Sequence, residues 1–310
     1  MYRTILFFIF ALAISFLALT TETRDVVTFE NAPPAALEVE LPKEVQLPEP
    51  EPTPVKNNIA LAPPPAQGGQ ATIPAPSPIP DHILFEKGIK ATVHLVCPAG
   101  NGLYTLATGA IIDRRGYIIT NAHVADDLSR RAVCTVERGS PSREIGQARL
   151  IMLPESYKAA TTSTERAHYD VSLWKMERME TPLEEAWEFD FGNFPKSGDR
   201  YLTQSYPGEF EAESRFFTGA TLLFSAATVT DTDIYLIGAS GALASQKGSS
   251  GGILIDRFTG RLRGLIFGID VGNSPQIEKR TLYSLTPYAI NTAIEKETGK
   301  TLLEYLVNNP

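Results

Sequence analysis

The chain has 310 residues, with 28 Lys and Arg against 36 Asp and Glu, giving a formal net charge of −8 at pH 7. That length exceeds one small domain, and the acidic balance argues against a nucleic-acid partner. With 4 His, 2 Cys and no clustered ligand spacing, neither a metal nor any other cofactor is expected.

After Met1-Tyr2-Arg3, the stretch from Thr4 to Thr20 carries no charge and is almost entirely apolar. It reads either as a signal-peptide core or as a short membrane-spanning helix retained as an anchor. Ala18-Leu19-Thr20 is the best small-x-small cleavage site and a poor one, so both readings of residues 1–25 stay open. In either case the remainder is expected outside the cytoplasmic membrane, anchored and facing outward or the periplasm, or secreted. Residues 26–80 form the second region. More than half of the 23 prolines fall between Pro33 and Pro80, including Glu49-Pro50-Glu51-Pro52 and Pro63-Pro64-Pro65. Such a segment cannot build a helix or a central strand and has too little apolar surface to fold, so it is expected to be a disordered, extended linker.

Residues 81–310 form the globular region, patterned as short β-prone runs broken by Gly, Pro and Asp. The runs are Ala91–Cys97, Ala110–Ile112, Tyr117–Thr120, Ala132–Val136, Ala148–Met152, Val171–Met176, Tyr201–Ser205, Thr221–Val229, Asp233–Ile237, Ile253–Asp256 and Leu262–Ile269. Regularly spaced short strands predict an all-β architecture of barrel type, although strand count alone does not separate barrels from a sandwich. A single helix closes the chain, with Thr286 as N-cap, Pro287 in the first turn and Gly299 as C-cap. Trp174 and Trp187 read as core or groove residues.

Three segments carry chemistry. The first run from Thr108 reads as a hairpin around Asp113-Arg114-Arg115-Gly116, and its second strand ends on Asn121-Ala122-His123. The second, His168-Tyr169-Asp170-Val171, leads an acid into an apolar strand. The third, Gly248-Ser249-Ser250-Gly251-Gly252, is a tight turn opening onto Ile253-Leu254-Ile255. A serine nucleophile needs an imidazole to take its proton, a carboxylate to orient that imidazole, and backbone N–H groups aimed at the developing oxyanion. All of these parts occur, in the order His, Asp, Ser. Asp126 and Asp127 are the alternative acids and read as solvated. Ser249 is the alternative nucleophile, but only Ser250 is followed directly by two glycines. His168 reads as a surface residue, and His82 and His94 as structural.

The Thr-Asn-Ala-His-Val, Asp-Val-Ser-Leu and Gly-Ser-Ser-Gly-Gly blocks resemble those of trypsin-like, chymotrypsin-fold serine peptidases, most closely the bacterial HtrA-like branch without a PDZ domain. The resemblance spans about Ile83 to Gly299. It implies two six-stranded β-barrels with the site between them, His123 as general base, Asp170 as its orienting acid and Ser250 as nucleophile. Gly248 and Ser250 would supply the oxyanion-hole N–H groups. It also implies that Ala244 and the strand Phe267-Gly268-Ile269 border the substrate pocket. Ala244 stands where digestive trypsins carry a charge-selecting Asp, so apolar or small side chains are expected before the scissile bond. Ser249 replaces the Asp that pairs with a processed N-terminus in vertebrate-type trypsins, so no such activation switch is expected. The chain ends soon after its last helix, so no PDZ domain is expected either.

In the fold so implied, the strands holding Cys97 and Cys134 are neighbours where the first barrel closes. A disulfide is then the expectation in an exported protein, with two buried thiols as the alternative. The functional expectation is an exported or membrane-tethered serine endopeptidase acting on protein or peptide substrates, in envelope protein quality control. The alternative is a catalytically silent protease-fold binding module or envelope-spanning scaffold. The sequence carries no signal for an oligomeric state.

Overall fold

The sequence alternates apolar and polar residues over short runs, and the strands they form close on themselves rather than stacking as a sandwich. The computed structural model describes residues 77–100, 103–126, 128, 133–179, 182–207, 219–270, 276 and 279–309. The expected hydrophobic N-terminal segment and nearly all of the Pro-rich stretch lie outside these residues. Among the described residues no helix is long and apolar enough to cross a membrane.

The first barrel contains β1 (Thr92–Gly100), β2 (Leu103–Asp113), β3 (Tyr117–Thr120), β4 (Val133–Gly139), β5 (Ser142–Met152) and β6 (Ser172–Met179). The second contains β7 (Arg200–Ser205), β8 (Leu223–Thr232), β9 (Leu236–Ser240), β10 (Ile253–Asp256), β11 (Leu262–Asp270) and β12 (Thr281–Leu285). Neighbour order is β1-β2-β3-β6-β5-β4 in one and β7-β8-β9-β12-β11-β10 in the other, so the same connectivity occurs twice. All of the ladder pairings are antiparallel. Closure leaves no free sheet edge, which removes the usual route to edge-to-edge aggregation.

Three apolar clusters explain why some strands read as unbroken hydrophobic runs. Ile118 of β3 points into the first barrel with Val93, Leu95 and Trp174. Its neighbours Tyr117 and Ile119 point the other way, into a core shared with Ile253, Ile255, Leu265 and Leu285 of the second barrel. Leu254 of β10 faces the interior of that second barrel with Ala239 and Leu282. Strands buried on both faces lose the polar half of the alternation. The two barrels are thus joined by a continuous apolar core.

Helices seal the periphery. An α-helix, α1 (Asp81–Ala91), precedes β1, where the sequence pattern predicted only a strand beginning at Ala91. Its Gly88 is required by packing, because a Cβ there would lie 1.9 Å from Gln204 Oε1. That Gln204 donates from Nε2 to the Leu84 carbonyl (2.9 Å) and accepts from Thr92 Oγ1 (3.1 Å), tying α1 to β7. Two short helices, α2 (Glu155–Ala159) and α3 (Ser163–His168), fill the β5–β6 connection. The expected closing helix is α4 (Pro287–Thr298), capped by Thr286 Oγ1 accepting from the Ala289 N–H at 3.1 Å and ended by Gly299 at φ +69. It is not the last element: α5 (Leu302–Asn308) follows, started by a Thr301–Glu304 capping box.

Cys97 of β1 and Cys134 of β4 form a disulfide. Val96 and Thr135 are register partners, so the two cysteines meet across the closing ladder of the first barrel, inside its fully buried core. The bridge closes a loop with a sequence separation of 37. Replacing both cysteines by Ala should lower unfolding free energy by about 3–4 kcal/mol on the chain-entropy model. Denaturant titration of the double variant measures this, and an unchanged midpoint would show that the core alone sets the stability.

Candidate active site

The end of β3 delivers His123, the candidate base. After Thr120 the chain leaves the barrel through Asn121 and Ala122 into a single 3₁₀ turn, His123–Ala125. The His123 ring donates from Nδ1 to Asp170 Oδ2 at 2.7 Å, and the His123 backbone N–H donates to Oδ1 of the same carboxylate at 2.9 Å. One acid therefore holds both the ring and the backbone that carries it. With Nδ1 donating, Nε2 is the nitrogen left to accept a proton. The His123 side chain is 30 % exposed, whereas that of Asp170 is 7 % exposed. Asp170 is fixed in turn. Asn121 Nδ2 donates to its backbone carbonyl at 2.9 Å, and Ser172 Oγ donates to the Asn121 carbonyl at 2.8 Å. Trp174 Nε1 closes this chain on Ser172 Oγ at 3.0 Å.

The turn before β10 lies against the same end of the first barrel. Gly251, at φ +81, sits where a Cβ would be 1.9 Å from the Thr108 carbonyl oxygen and 2.2 Å from Thr120 Oγ1. Only glycine tolerates both that backbone angle and that approach. Within the turn, the N–H groups of Ser249, Gly251 and Gly252 donate to the carbonyls of Gln246, Ile266 and Ser249. The N–H groups of Gly248 and Ser250 have no such partner among the described residues. Those two are the donors proposed for an oxyanion. No hydrogen bond joins the Ser250 hydroxyl to the His123 ring among the described residues. Catalytic bonds of this kind commonly tighten only around bound substrate.

Other residues singled out in the sequence find different surroundings. Ser249 is 1 % exposed and its hydroxyl accepts from Ser205 Oγ at 3.1 Å, away from solvent. Asp126 is exposed and takes the Tyr157 hydroxyl at 2.7 Å; Asp127 lies outside the described residues. His168 stacks on Tyr235 with ring centroids 4.7 Å apart. His82 is exposed. His94 is fully buried, and its Nδ1 meets Glu137 Oε2 at 3.0 Å, a partner that no local pattern announced.

Ala244 is buried in the same cluster as Ala242 and Ile266, with Ile269 packed against it. Phe267 leans instead on the inter-barrel core and on Tyr283. Gly268 stands between them, with nothing within 4 Å of a would-be Cβ. Sequence reading missed Arg280, whose Nη1 donates to the Ser245 carbonyl at 3.1 Å. That contact depends on β12 pairing with β9 and β11, which no local signal around Arg280 encodes.

Burial works to lower the His123 pKa. The charge and hydrogen bond of Asp170, with a further contribution from the Asp126 charge, outweigh it and raise the pKa above the ordinary 6.5. The pair therefore adds stability that is fully present below the unfolded imidazole value and is lost as pH rises through the higher folded value. An NMR titration should place His123 above 6.5, and Asp170→Asn should bring it down. A wild-type His123 titrating below 6.5 would mean that burial wins.

A family model described as a trypsin-like peptidase domain matches residues 107–265. The match covers just over half of the chain and includes the segments holding His123, Asp170 and Ser250. Among solved structures, the chain is similar to the crystal structure of the Rv3671c protease from M. tuberculosis in its active form. Identity is 20 %, coverage is 77 % of this chain and 95 % of that one, and the TM-score is 0.49. No curated protein matches the chain. With its two closed barrels and the matched segment spanning both, the chain belongs to the trypsin-like peptidase domain family, whose members are serine endopeptidases.

Proposed function

We propose that this chain is an exported or membrane-tethered serine endopeptidase that cleaves proteins outside the cytoplasmic membrane through His123, Asp170 and Ser250. The observation that carries the reading is the bidentate grip of Asp170 on His123, next to a turn that leaves the Gly248 and Ser250 N–H groups without backbone partners. In this mechanism the Ser250 hydroxyl attacks the scissile carbonyl carbon while His123 Nε2 takes its proton. Asp170 keeps the ring oriented and stabilises the imidazolium as it forms. The carbonyl oxygen becomes an oxyanion between the N–H groups of Gly248 and Ser250. Collapse of the adduct expels the amine, which takes the proton back from His123. Water, deprotonated by the same imidazole, then releases the acyl group from Ser250.

Export is supported by the charge-free run from Thr4 to Thr20 and by the Cys97–Cys134 disulfide, since such bonds persist in oxidising compartments. Envelope protein quality control is the role we attach to a peptidase at that location.

A fluorophosphonate probe tests the nucleophile. Ser250→Ala should abolish covalent labelling, whereas Ser249→Ala should keep it. If the wild-type protein resists labelling, the chain is a silent protease-fold binding module instead. For turnover, kcat/KM should fall as pH drops through the raised His123 pKa, because the imidazolium cannot accept a proton. Asp170→Asn should cost on the order of 10⁴ in kcat, as in other triads whose acid becomes an amide.

A peptide library tests the pocket. Substrates with Val, Ala or Leu before the scissile bond should be cut faster than those with Lys or Arg. Ala244 lies in an apolar cluster with Ala242 and Ile266, which suits an apolar side chain. Faster cleavage after Arg would overturn the assignment of this pocket.

A further inference from the structure

Thr108 lies in β2, in the first barrel, and is completely buried. Each of its polar atoms has a partner, and three of the four contacts reach across to the second barrel. Its N–H donates to the Ser250 carbonyl at 2.8 Å. Its hydroxyl accepts from the Tyr206 backbone N–H at 2.9 Å and donates to the Gly248 carbonyl at 3.4 Å. Its own carbonyl accepts from Thr120 Oγ1 at 2.7 Å, three residues before His123. Its hydroxyl thus touches the peptide that follows Gly248 and the segment just after β7, while its backbone carbonyl meets Thr120 at the end of the strand that leads to His123.

We propose that the Thr108 hydroxyl is a positioning residue for the oxyanion turn. It holds the Gly248–Ser249 peptide so that the Gly248 and Ser250 N–H groups converge. The proposal rests on the assignment of Ser250 and Gly248 made above. Its physical basis is the freedom of Gly248, at φ +86, where glycine imposes no restraint of its own. An oxyanion hole works only if its dipoles are fixed before charge develops; the Ser249 N–H of this peptide is held within the turn by the Gln246 carbonyl, and its Gly248 carbonyl is held from outside the turn. The Thr108 N–H restrains Ser250. The hydroxyl is the group that reaches Gly248, and the Tyr206 N–H fixes the hydroxyl's orientation by occupying its acceptor side. Thr108 touches no substrate in this role; it acts through the turn.

Thr108→Val keeps the shape and removes the hydroxyl, while Thr108→Ser keeps the hydroxyl and removes only the methyl group. In steady-state cleavage of a peptide substrate, Thr108→Val should lose about tenfold to a hundredfold in kcat with KM unchanged, less than deletion of an oxyanion donor. Thr108→Ser should recover most of that loss. A Thr108→Val enzyme with wild-type kcat, or a Thr108→Ser enzyme as slow as Thr108→Val, overturns the proposal. If Thr108→Val does not fold, the kcat ratio of Thr108→Ser to Thr108→Ala, which are closely matched apart from the hydroxyl, decides in the same way. Ser250→Ala, assayed beside them, separates the two levels. Residual wild-type turnover in Ser250→Ala sinks the site itself, whereas a dead Ser250→Ala beside an unaffected Thr108→Val sinks only the positioning role.

Discussion

The backbone bond from the Thr108 N–H to the Ser250 carbonyl, 2.8 Å long, is the contact on which the arrangement of the site depends. His123 and Asp170, the proposed base and acid, belong to the first barrel, and the turn holding Ser250, the proposed nucleophile, belongs to the second. Chemistry at one carbonyl requires the two halves to meet within hydrogen-bond tolerance. Apolar packing between barrels is strong but non-directional, so it cannot set that register. A buried backbone bond can, because its geometry is narrow and breaking it leaves desolvated groups unpaired. Gly251 makes the same demand from the other side, since its lack of a Cβ is what allows the Thr108 carbonyl to come so close.

The His123–Asp170 pair shows a similar division between strong and directional forces. Coulombic attraction raises the imidazole pKa against the pull of burial. What aims the ring, however, is the second bond from the same carboxylate to the His123 N–H. The acid is held by Asn121, and Asn121 by Ser172, so the orientation is propagated from the interior of the first barrel. Trp174 at the end of this chain is both a core side chain and a support for the site.

Much of this was legible from local patterns. The apolar runs placed β3 and β10 because both faces of each strand are buried. The helix α4 followed from Thr286, Pro287 and Gly299, whose capping roles are local. The family blocks around His123, Asp170 and Ser250 marked the three segments of the candidate site, of which His123 and Asp170 meet directly. The helix α1 escaped because Gly88 within it weakens the helical signal, and Gly88 is there for Gln204, more than a hundred residues away. Strand β12 escaped because Thr281–Leu285 is short and gains its identity from two flanking ladders.

The sequence by itself therefore determined the all-β class, and through the family resemblance the two barrels and the residue types of the candidate site with their order along the chain. These depend on periodicity, caps and short motifs, all of which act within a few residues. The Cys97–Cys134 bridge was expected through the family resemblance alone, and only the tertiary structure decided that Arg280 meets Ser245 and that Thr108 spans both barrels. Each of these contacts joins segments separated by tens of residues or more, with no local preference to record them. They exist because barrel closure fixes strand register, and register sets which distant side chains share a face.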